Sequence, residues 1–163
     1  MMPFLLIPEP KFVSVENDQT PNNRQKPAVL CLIDFSEASG QALKWAGIEA
    51  SKQDAQLIVL YPYRLTQLQG KDGLVKLRQG IDTEAIVNFE KIAQETLHDI
   101  PVKYEFKPEV GFINDRVYAH SHQKEFSMLV ISKRMAINNG DTMRELIDLI
   151  KFPLVIIPQT TSN

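Results

Sequence analysis

The sequence predicts an α/β domain in which a doubly wound parallel sheet of five strands carries helices on both faces. Short apolar runs without alternation, typical of strands buried on both sides, alternate along the chain with longer segments of helical period. The connections are short, so right-handed crossovers would bring successive strands into one sheet. A length of 163 residues suits one domain of this kind.

Composition and charge exclude several classes of partner. The chain carries 18 Lys and Arg residues against 20 Asp and Glu residues, a formal net charge of −2. Binding to nucleic acid or to an anionic membrane surface depends on a strong positive field, which this balance does not supply. Cys31 is the only cysteine, so an intramolecular disulfide and a multi-cysteine zinc site are excluded. We expect no nucleic-acid partner and no membrane partner.

The apolar segments are too short for a membrane span or a secretory signal. No apolar stretch approaches the roughly 20 residues that cross a bilayer. The segment nearest the start, residues 4–7, lies between Pro3 and Pro8 and has no positive charge before it. The sequence therefore predicts a cytoplasmic protein.

The beginning of the chain differs in composition from the rest. Residues 1–26 combine an apolar, proline-containing start with a polar run over residues 16–26, which is typical of an arm followed by a linker. We expect the domain to span residues 27–158 and a C-terminal tail to follow over residues 159–163. Four exposed large apolar side chains favour aggregation, so we expect residues 4–7 to dock on their own subunit or on a partner.

The first half of the domain begins with a strand and a helix. Residues 28–33 form a continuous apolar run typical of a central parallel strand. Ser36 is a plausible N-cap, and apolar residues recur at helical spacing over Glu37–Lys52. A second buried strand is predicted over residues 56–61, ending at Pro62.

The second half begins with a glycine-containing segment, residues 62–80, which predicts a long loop or a poorly ordered helix start. A helical period then runs from Ile81 to Leu97. Val102, Tyr104 and Phe106 alternate with charged residues, which indicates a strand near a sheet edge. The remaining predicted elements are a helix over 112–125, a strand over 128–131, a helix over 141–151 and a last strand over Leu154–Ile157.

Ligands of such sheets bind beyond the carboxyl ends of the strands, where the strand order reverses. The loops after Ile33, Leu60 and Ile131 are therefore the places to search for a site.

Those loops carry a resemblance to a known family. Residues 28–46, with Asp34-Phe-Ser at the turn, resemble the first strand, turn and first helix of the universal stress protein family. Residues 127–132, Ser-Met-Leu-Val-Ile-Ser, are similar to its fourth strand, and residues 152–158 to its terminal strand. The resemblance covers roughly residues 27–158. It implies a Rossmann-like sheet of the adenine nucleotide alpha hydrolase-like kind, in the order 3-2-1-4-5, with homodimers through the last strand and ATP binding in one subgroup only.

The ATP-binding subgroup carries Gly-x2-Gly-x9-Gly-Ser/Thr after the fourth strand, and this chain departs from it. Ser132 and Met135 stand where the first two glycines should be, and Gly140 matches the third. Seven residues lie between the first and third positions where the motif has twelve, so the loop is five residues shorter. Asp141 replaces the hydroxyl residue and would oppose a phosphate. We therefore expect the subgroup that lacks the ATP-binding glycine motif, and no cofactor.

The candidate cleft is defined by residues on these loops, some of which have two interpretations. Asp34 matches the acidic residue that the family places beside adenosine, but it would equally accept backbone amides in its own turn. Lys133 and Arg134 would hold a small anion or be merely solvated at a short loop. Asp141 is expected to cap its own helix, accepting hydrogen bonds from amides near Arg144. The candidate residues of the cleft are Asp34, Ser132, Lys133, Arg134, Gly140 and Asp141.

Two functions are consistent with these observations. The first is a homodimeric stress-response protein without catalysis of its own and without ATP binding; the alternative is a small-molecule sensor that binds a nucleotide or a phosphorylated metabolite in a reshaped cleft. No set of residues predicts a nucleophile with its base or a metal site. The homodimer is expected at a bare apolar sheet edge. The residues of that edge strand are Leu154, Val155, Ile156 and Ile157.

Overall fold

The computed structural model describes residues 4–6, 26–65 and 70–159, which form one sheet with helices on both faces. No helix within these ranges combines the length and the apolar character needed to cross a membrane. The elements are, in chain order, β1 (Phe4–Leu6), β2 (Ala28–Leu32), α1 (Glu37–Lys52), β3 (Leu57–Tyr63), α2 (Gly70–Thr96), β4 (Tyr104–Val110), α3 (Ile113–Gln123), β5 (Phe126–Ser132), α4 (Lys133–Asn138), α5 (Gly140–Leu149) and β6 (Leu154–Ile157).

The sheet has the order β1-β6-β5-β2-β3-β4. Strands β2 to β6 are all parallel, and in their own numbering their order is the predicted 3-2-1-4-5, so the predicted fold class is confirmed. The order reverses between β2 and β5, because the chain first builds outward through β3 and β4 and then returns to the other side of β2. This topology predicts that a ligand crevice lies beyond the carboxyl ends of β2 and β5.

Two apolar layers hold the helices to the sheet, because side chains of a strand point alternately to opposite faces. Val29 and Cys31 of β2 face the layer formed with α1 and α2, whereas Leu30 and Leu32 face the layer formed with α3, α4 and α5. All four of these side chains are fully buried. Burial raises the pKa of the Cys31 thiol, which therefore behaves as an inert apolar side chain.

Several predicted elements are confirmed with their bounds. Helix α1 spans Glu37–Lys52, and the Oγ of Ser36 accepts a hydrogen bond from the Ser39 amide at 3.1 Å, as an N-cap does. Strand β6 spans Leu154–Ile157 as predicted. The strand predicted near a sheet edge, β4, is the outermost strand on its side.

Of the two alternatives predicted for residues 62–80, a long loop or a poorly ordered helix start, the loop is wrong for residues 70–80, which belong to a helix. Helix α2 begins at Gly70 and runs without interruption through Gly73 and Gly80. A glycine in a helix costs about 1 kcal/mol relative to alanine. This cost is tolerated because helix propagation is cooperative and the later part of α2 is anchored on the sheet by Phe89 and Ala93.

Strand β3 continues two residues further than predicted. Pro62 pairs with Glu109 of β4 inside the ladder, but the pairing of β3 with β2 on its other side ends at Leu60. None of the strands in the described ranges lies beside Pro62 on that side, so its missing amide hydrogen leaves no ladder bond unmade there.

The prediction that β6 lies at a bare sheet edge is also wrong. Strand β1 pairs with β6 in the antiparallel direction, with Phe4 opposite Ile156, Leu5 opposite Val155 and Leu6 opposite Leu154. The expectation that residues 4–7 dock on their own subunit or a partner is confirmed for Phe4–Leu6, which dock on their own subunit. Ile7 lies outside the described residues.

Candidate functional site

The turn after β2 is held by hydrogen bonds between the side chains and backbone amides of its own residues. Ser36 donates from its amide and its Oγ to the Oδ1 of Asp34, at 3.0 and 2.5 Å. The amide of Asp34 donates to the Oγ of the buried Ser39 at 2.8 Å. Asp34 thus accepts hydrogen bonds within its own turn, which is one of the two interpretations that its sequence left open.

This turn places an aromatic ring over the carboxyl edge of the sheet. Phe35 has a φ of 64°, in the left-handed region that residues other than glycine rarely adopt. Its ring meets the ring of Tyr61 edge to face at 4.7 Å between centroids, and Phe106 lies 6.1 Å away. Such ring pairs stabilise by about 0.5–1.5 kcal/mol beyond the area they bury, which offsets backbone strain at Phe35.

The Asp34 carboxylate is held in its charged form. Burial alone raises its pKa, but the hydrogen bonds from Ser36 and Ser39 and the positive charge of Arg134 lower it, and the pKa lies below its usual value. Asp34 and Arg134 therefore interact across the crevice, one at the end of β2 and the other after β5. A carboxylate with a lowered pKa is a weak general base at neutral pH.

Tyr61 and Tyr63 extend the aromatic surface along β3. They are two residues apart on one strand, so they share a face, and their rings stack at 5.7 Å. Burial and the negative charges of Asp34 and Glu84 raise the pKa of Tyr61. Burial and a 2.5 Å hydrogen bond from the Tyr63 hydroxyl to Oδ1 of Asp82 raise the pKa of Tyr63, and this bond ties α2 to the sheet.

On the other side of the crevice, the chain turns from β5 directly into helix α4. The Oγ of Ser132, which is fully buried, accepts a hydrogen bond from the Met135 amide at 3.1 Å and so caps this helix. Lys133 and Arg134 form the exposed first turn of α4. The prediction that they lie in a short loop is therefore wrong.

The remaining two candidates begin the next helix. Gly140 starts α5, and Asn139 alone separates it from α4. A side chain added at Gly140 would meet open space, so this position has no structural need for glycine. Asp141 is exposed in the first turn of α5, whose N-cap Asn139 makes no side-chain cap bond. The prediction that Asp141 caps its own helix is therefore wrong.

The structure thus places Arg134 close enough to Asp34 for its positive charge to lower the pKa of that carboxyl, and Ser132 and Lys133 precede Arg134 on the chain. The aromatic residues Phe35 and Tyr61 were not among the site residues predicted from the sequence. The detectable signal was Tyr61-Pro62-Tyr63, because two aromatic residues two apart at the end of a predicted strand share a face.

A separate concavity lies away from this crevice. A concavity of about 650 Å³, with Lys26, Lys103 and Lys124 in its lining, opens at the amino ends of the strands. That is the opposite edge from the one at which parallel α/β sheets bind ligands. Within the described part of the chain, no group of three or more His, Cys, Asp or Glu side chains could hold a metal ion.

Comparison with known proteins agrees with the fold. The model of the universal stress protein family matches residues 27–158. A universal stress protein solved in complex with cAMP is 15% identical, with a TM-score of 0.62, over 84% of this chain and all of that one. The universal stress protein UspA from Lactobacillus plantarum is 19% identical, with a TM-score of 0.60, over 83% of this chain and 99% of its own.

A universal stress protein from Archaeoglobus fulgidus in complex with dAMP is 14% identical, with a TM-score of 0.55, over 82% of this chain and 99% of its own. At these identities the likeness concerns the fold. No curated protein sequence matches the chain significantly.

Proposed function

Because this chain belongs to the universal stress protein family, we propose that it is a cytoplasmic, homodimeric stress-response protein that regulates by binding other molecules rather than by catalysis. We propose further that it is of the subgroup that does not bind ATP through a glycine loop. Two copies would associate through β6, and no cofactor would be held. The proposals on catalysis and on ATP binding concern the crevice between the turn after β2 and helix α4.

The single observation that carries the proposal is the helix α4 capped by Ser132. A phosphate cradle needs several backbone amides that are free to donate, and glycines that let the backbone approach the anion. Here the Ser132 hydroxyl already occupies the Met135 amide. Met135 and Ala136 are buried in the apolar layer beneath α4, so this segment is packed on the sheet and is not free to wrap around a triphosphate.

The contacts of the turn after β2 support the absence of catalysis. A serine nucleophile needs a neighbouring base that accepts its proton. The Ser36 hydroxyl donates to Asp34 and accepts from the Ser39 amide, while the Ser39 hydroxyl accepts from the Asp34 amide. Both hydroxyls are thus occupied in the turn, and the lowered pKa of Asp34 makes it a weak base.

The alternative, a sensor for a nucleotide or a phosphorylated metabolite, draws support from the aromatic surface. The half-buried ring of Tyr61 and the side chain of Arg134 lie near the same carboxylate, Asp34, at the crevice. An aromatic face can stack on a base and a guanidinium can pair with a phosphate. Universal stress proteins with this fold have been solved with cAMP and with dAMP, which makes adenine monophosphates the first ligands to test.

Titration calorimetry with ATP and with cAMP tests both candidates. We expect ATP to bind no more tightly than about 1 mM, which corresponds to about −4.1 kcal/mol. A micromolar dissociation constant for ATP would overturn the proposal. If cAMP binds in the micromolar range, and Tyr61→Ala weakens it at least tenfold while the exposed-site control Tyr118→Ala does not, the sensor replaces the non-nucleotide interpretation.

A further inference from the structure

The arm and the last strand of the domain share one sequence pattern. Residues 3–8 are Pro-Phe-Leu-Leu-Ile-Pro, and residues 153–158 are Pro-Leu-Val-Ile-Ile-Pro. Each consists of four large apolar residues between two prolines, and each position of the first lies 150 residues before its counterpart in the second. Proline has no amide hydrogen, so in both segments the four apolar residues are bounded by a residue type that cannot donate a ladder hydrogen bond.

The register of β1 on β6 has the symmetry of a homodimer. Phe4, Leu5 and Leu6 correspond in the shared pattern to Leu154, Val155 and Ile156. Replacing each arm residue by its counterpart turns the observed register into residue 154 opposite 156, 155 opposite 155, and 156 opposite 154. Two copies of β6 related by a two-fold axis at Val155 would have this register.

The direction of the pairing agrees with the same symmetry. A two-fold axis between two copies of one edge strand makes the strands antiparallel, since the same surface is used on both subunits. Strand β1 is antiparallel to β6, whereas the other pairings of the sheet are parallel. In direction, register and composition, β1 stands where β6 of a second copy would stand.

We propose that the arm is an internal mimic of β6, which competes with a second copy of this chain for the edge of β6. The proposal rests on the proposed dimer through β6. One edge of β6 is paired with β5 over Leu154–Ile157, and β1 covers Leu154, Val155 and Ile156 on the other edge. A second copy can therefore pair with β6 only after β1 has left.

The competition makes association steeply dependent on release of the arm. Both subunits must release β1, so the apparent dissociation constant rises with the square of the ratio of closed to open arms. If closed arms outnumber open arms by about ten to one, the apparent dissociation constant of the dimer rises about a hundredfold. The polar run over residues 16–26 separates the arm from the domain, so the arm can leave without a change in the five parallel strands.

Sedimentation velocity of the full chain over the micromolar range tests the competition. We expect the wild type to sediment as a monomer near 18.5 kDa in equilibrium with the dimer, with the dimer favoured only at the upper end of this concentration range. Leu6→Pro removes an amide that faces β6, because Pro153 and Val155 direct their backbone groups to β5 and leave those of Leu154 and Ile156 for β1. This variant should lower the dissociation constant of the dimer at least tenfold, whereas Asn17→Pro in the polar run should not. A synthetic peptide of residues 1–10, added in excess to the Leu6→Pro variant, should return it to the monomer, and the same peptide with Leu6→Pro should not.

Disulfide trapping tests the position of the arm independently. Phe4 and Ile156 are directly opposite, at a separation that a disulfide can span. The double variant Phe4→Cys, Ile156→Cys should form an intrachain bond on mild oxidation and run as a monomer on a non-reducing gel. The native Cys31 is fully buried and does not compete. A predominantly interchain bond would mean that arms are exchanged between subunits, and it would overturn the proposal.

The outcomes separate this proposal from the dimer on which it rests. A wild type and a Leu6→Pro variant that are both dimers with equal dissociation constants would leave the dimer standing and overturn the competition. Two proteins that both remain monomers throughout the micromolar range would overturn the dimer through β6, and the competition with it. Circular dichroism and the melting temperature confirm that the variant is folded before either result is read.

Discussion

The Nε2 of His120 lies 2.6 Å from the Oε1 of Glu109, and this contact fixes helix α3 to the edge strand β4. His120 is only 8% exposed, and the guanidinium of Arg116 lies 4.0 Å from the same carboxylate oxygen. Of the strands that the structure describes, only β3 pairs with β4, so side-chain contacts with α3 contribute to holding β4 in place. Glu109 is therefore the polar link between the edge of the sheet and the following helix.

Glu109→Ala should lower the free energy of unfolding by about 1–3 kcal/mol, because it leaves the buried imidazole of His120 without its partner. The matched control is Glu105→Ala on the same strand, whose carboxylate forms a 3.4 Å ion pair with Lys107 near the surface. Exposed pairs of this kind contribute about 0.2–1 kcal/mol. Urea unfolding of both variants measures the difference, and equal losses would argue against a structural role for the His120 contact.

Much of the fold could be predicted, because the residues that begin or end an element and the apolar residues that it buries indicate the same helix or strand. Ser36 followed by a helical apolar period predicted α1 correctly, since the N-cap and the buried face are both local features. Strand β6 could be predicted for a similar reason, because four apolar residues between two prolines leave no room for a longer strand.

The rest depended on contacts that a sequence pattern does not report. The glycines of α2 argued against a helix, and packing of its later turns on the sheet outweighed them. Ser132 stands at an altered phosphate-loop position in the sequence, and in the structure it caps the short helix α4, which begins at Lys133. The pairing of β1 with β6 joins the two ends of the chain, and such long-range pairing carries no local signal.

Asp34→Asn should change the pH dependence of stability. The folded-state pKa of Asp34 is lowered, so the charged carboxylate stabilises the folded protein above its unfolded pKa of about 3.9, and this contribution is lost as the pH falls through the folded pKa. The wild type should therefore be more stable than the variant at neutral pH, and the difference should shrink in acid. Urea unfolding from neutral pH to about pH 3 measures it. A difference that stays constant over this range would contradict the assignment.

Tyr63→Phe should lower the free energy of unfolding by about 1.5 kcal/mol, because it removes the hydrogen bond to the charged Asp82. This value is at the low end for hydrogen bonds to charged groups, since Asp82 remains partly accessible to water. The folded-state pKa of Tyr63 is raised, so wild-type stability is full below the unfolded tyrosine pKa of about 10 and is lost as the pH rises above it. The variant should lose part of this alkaline dependence. Tyr118→Phe, at an exposed tyrosine, is the control and should change neither quantity.

The two polar residues at the starts of α4 and α5 should differ in their contribution to stability. Ser132→Ala removes a cap whose hydroxyl accepts the Met135 amide, and it should cost about 0.5–2 kcal/mol. Asp141→Ala removes only a negative charge from the first turn of α5, where no side-chain cap bond exists, and it should cost about 0.3–1 kcal/mol. Urea unfolding of the two variants under identical conditions gives the comparison, and a larger loss for Asp141→Ala would contradict the assignment of the caps.

Asp141→Ser is the corresponding test of ligand binding, because it restores the hydroxyl that the ATP-binding subgroup carries after its third glycine. It should still bind ATP no more tightly than about 1 mM, the limit expected for the wild type. The physical reason is that the Ser132 hydroxyl still occupies the Met135 amide and that Met135 and Ala136 still hold α4 on the sheet, so no open loop is available for the phosphates. Titration calorimetry of the variant with ATP measures this directly. A micromolar dissociation constant would mean that the single charge of Asp141, and not the helix α4, excludes the nucleotide from the wild-type crevice.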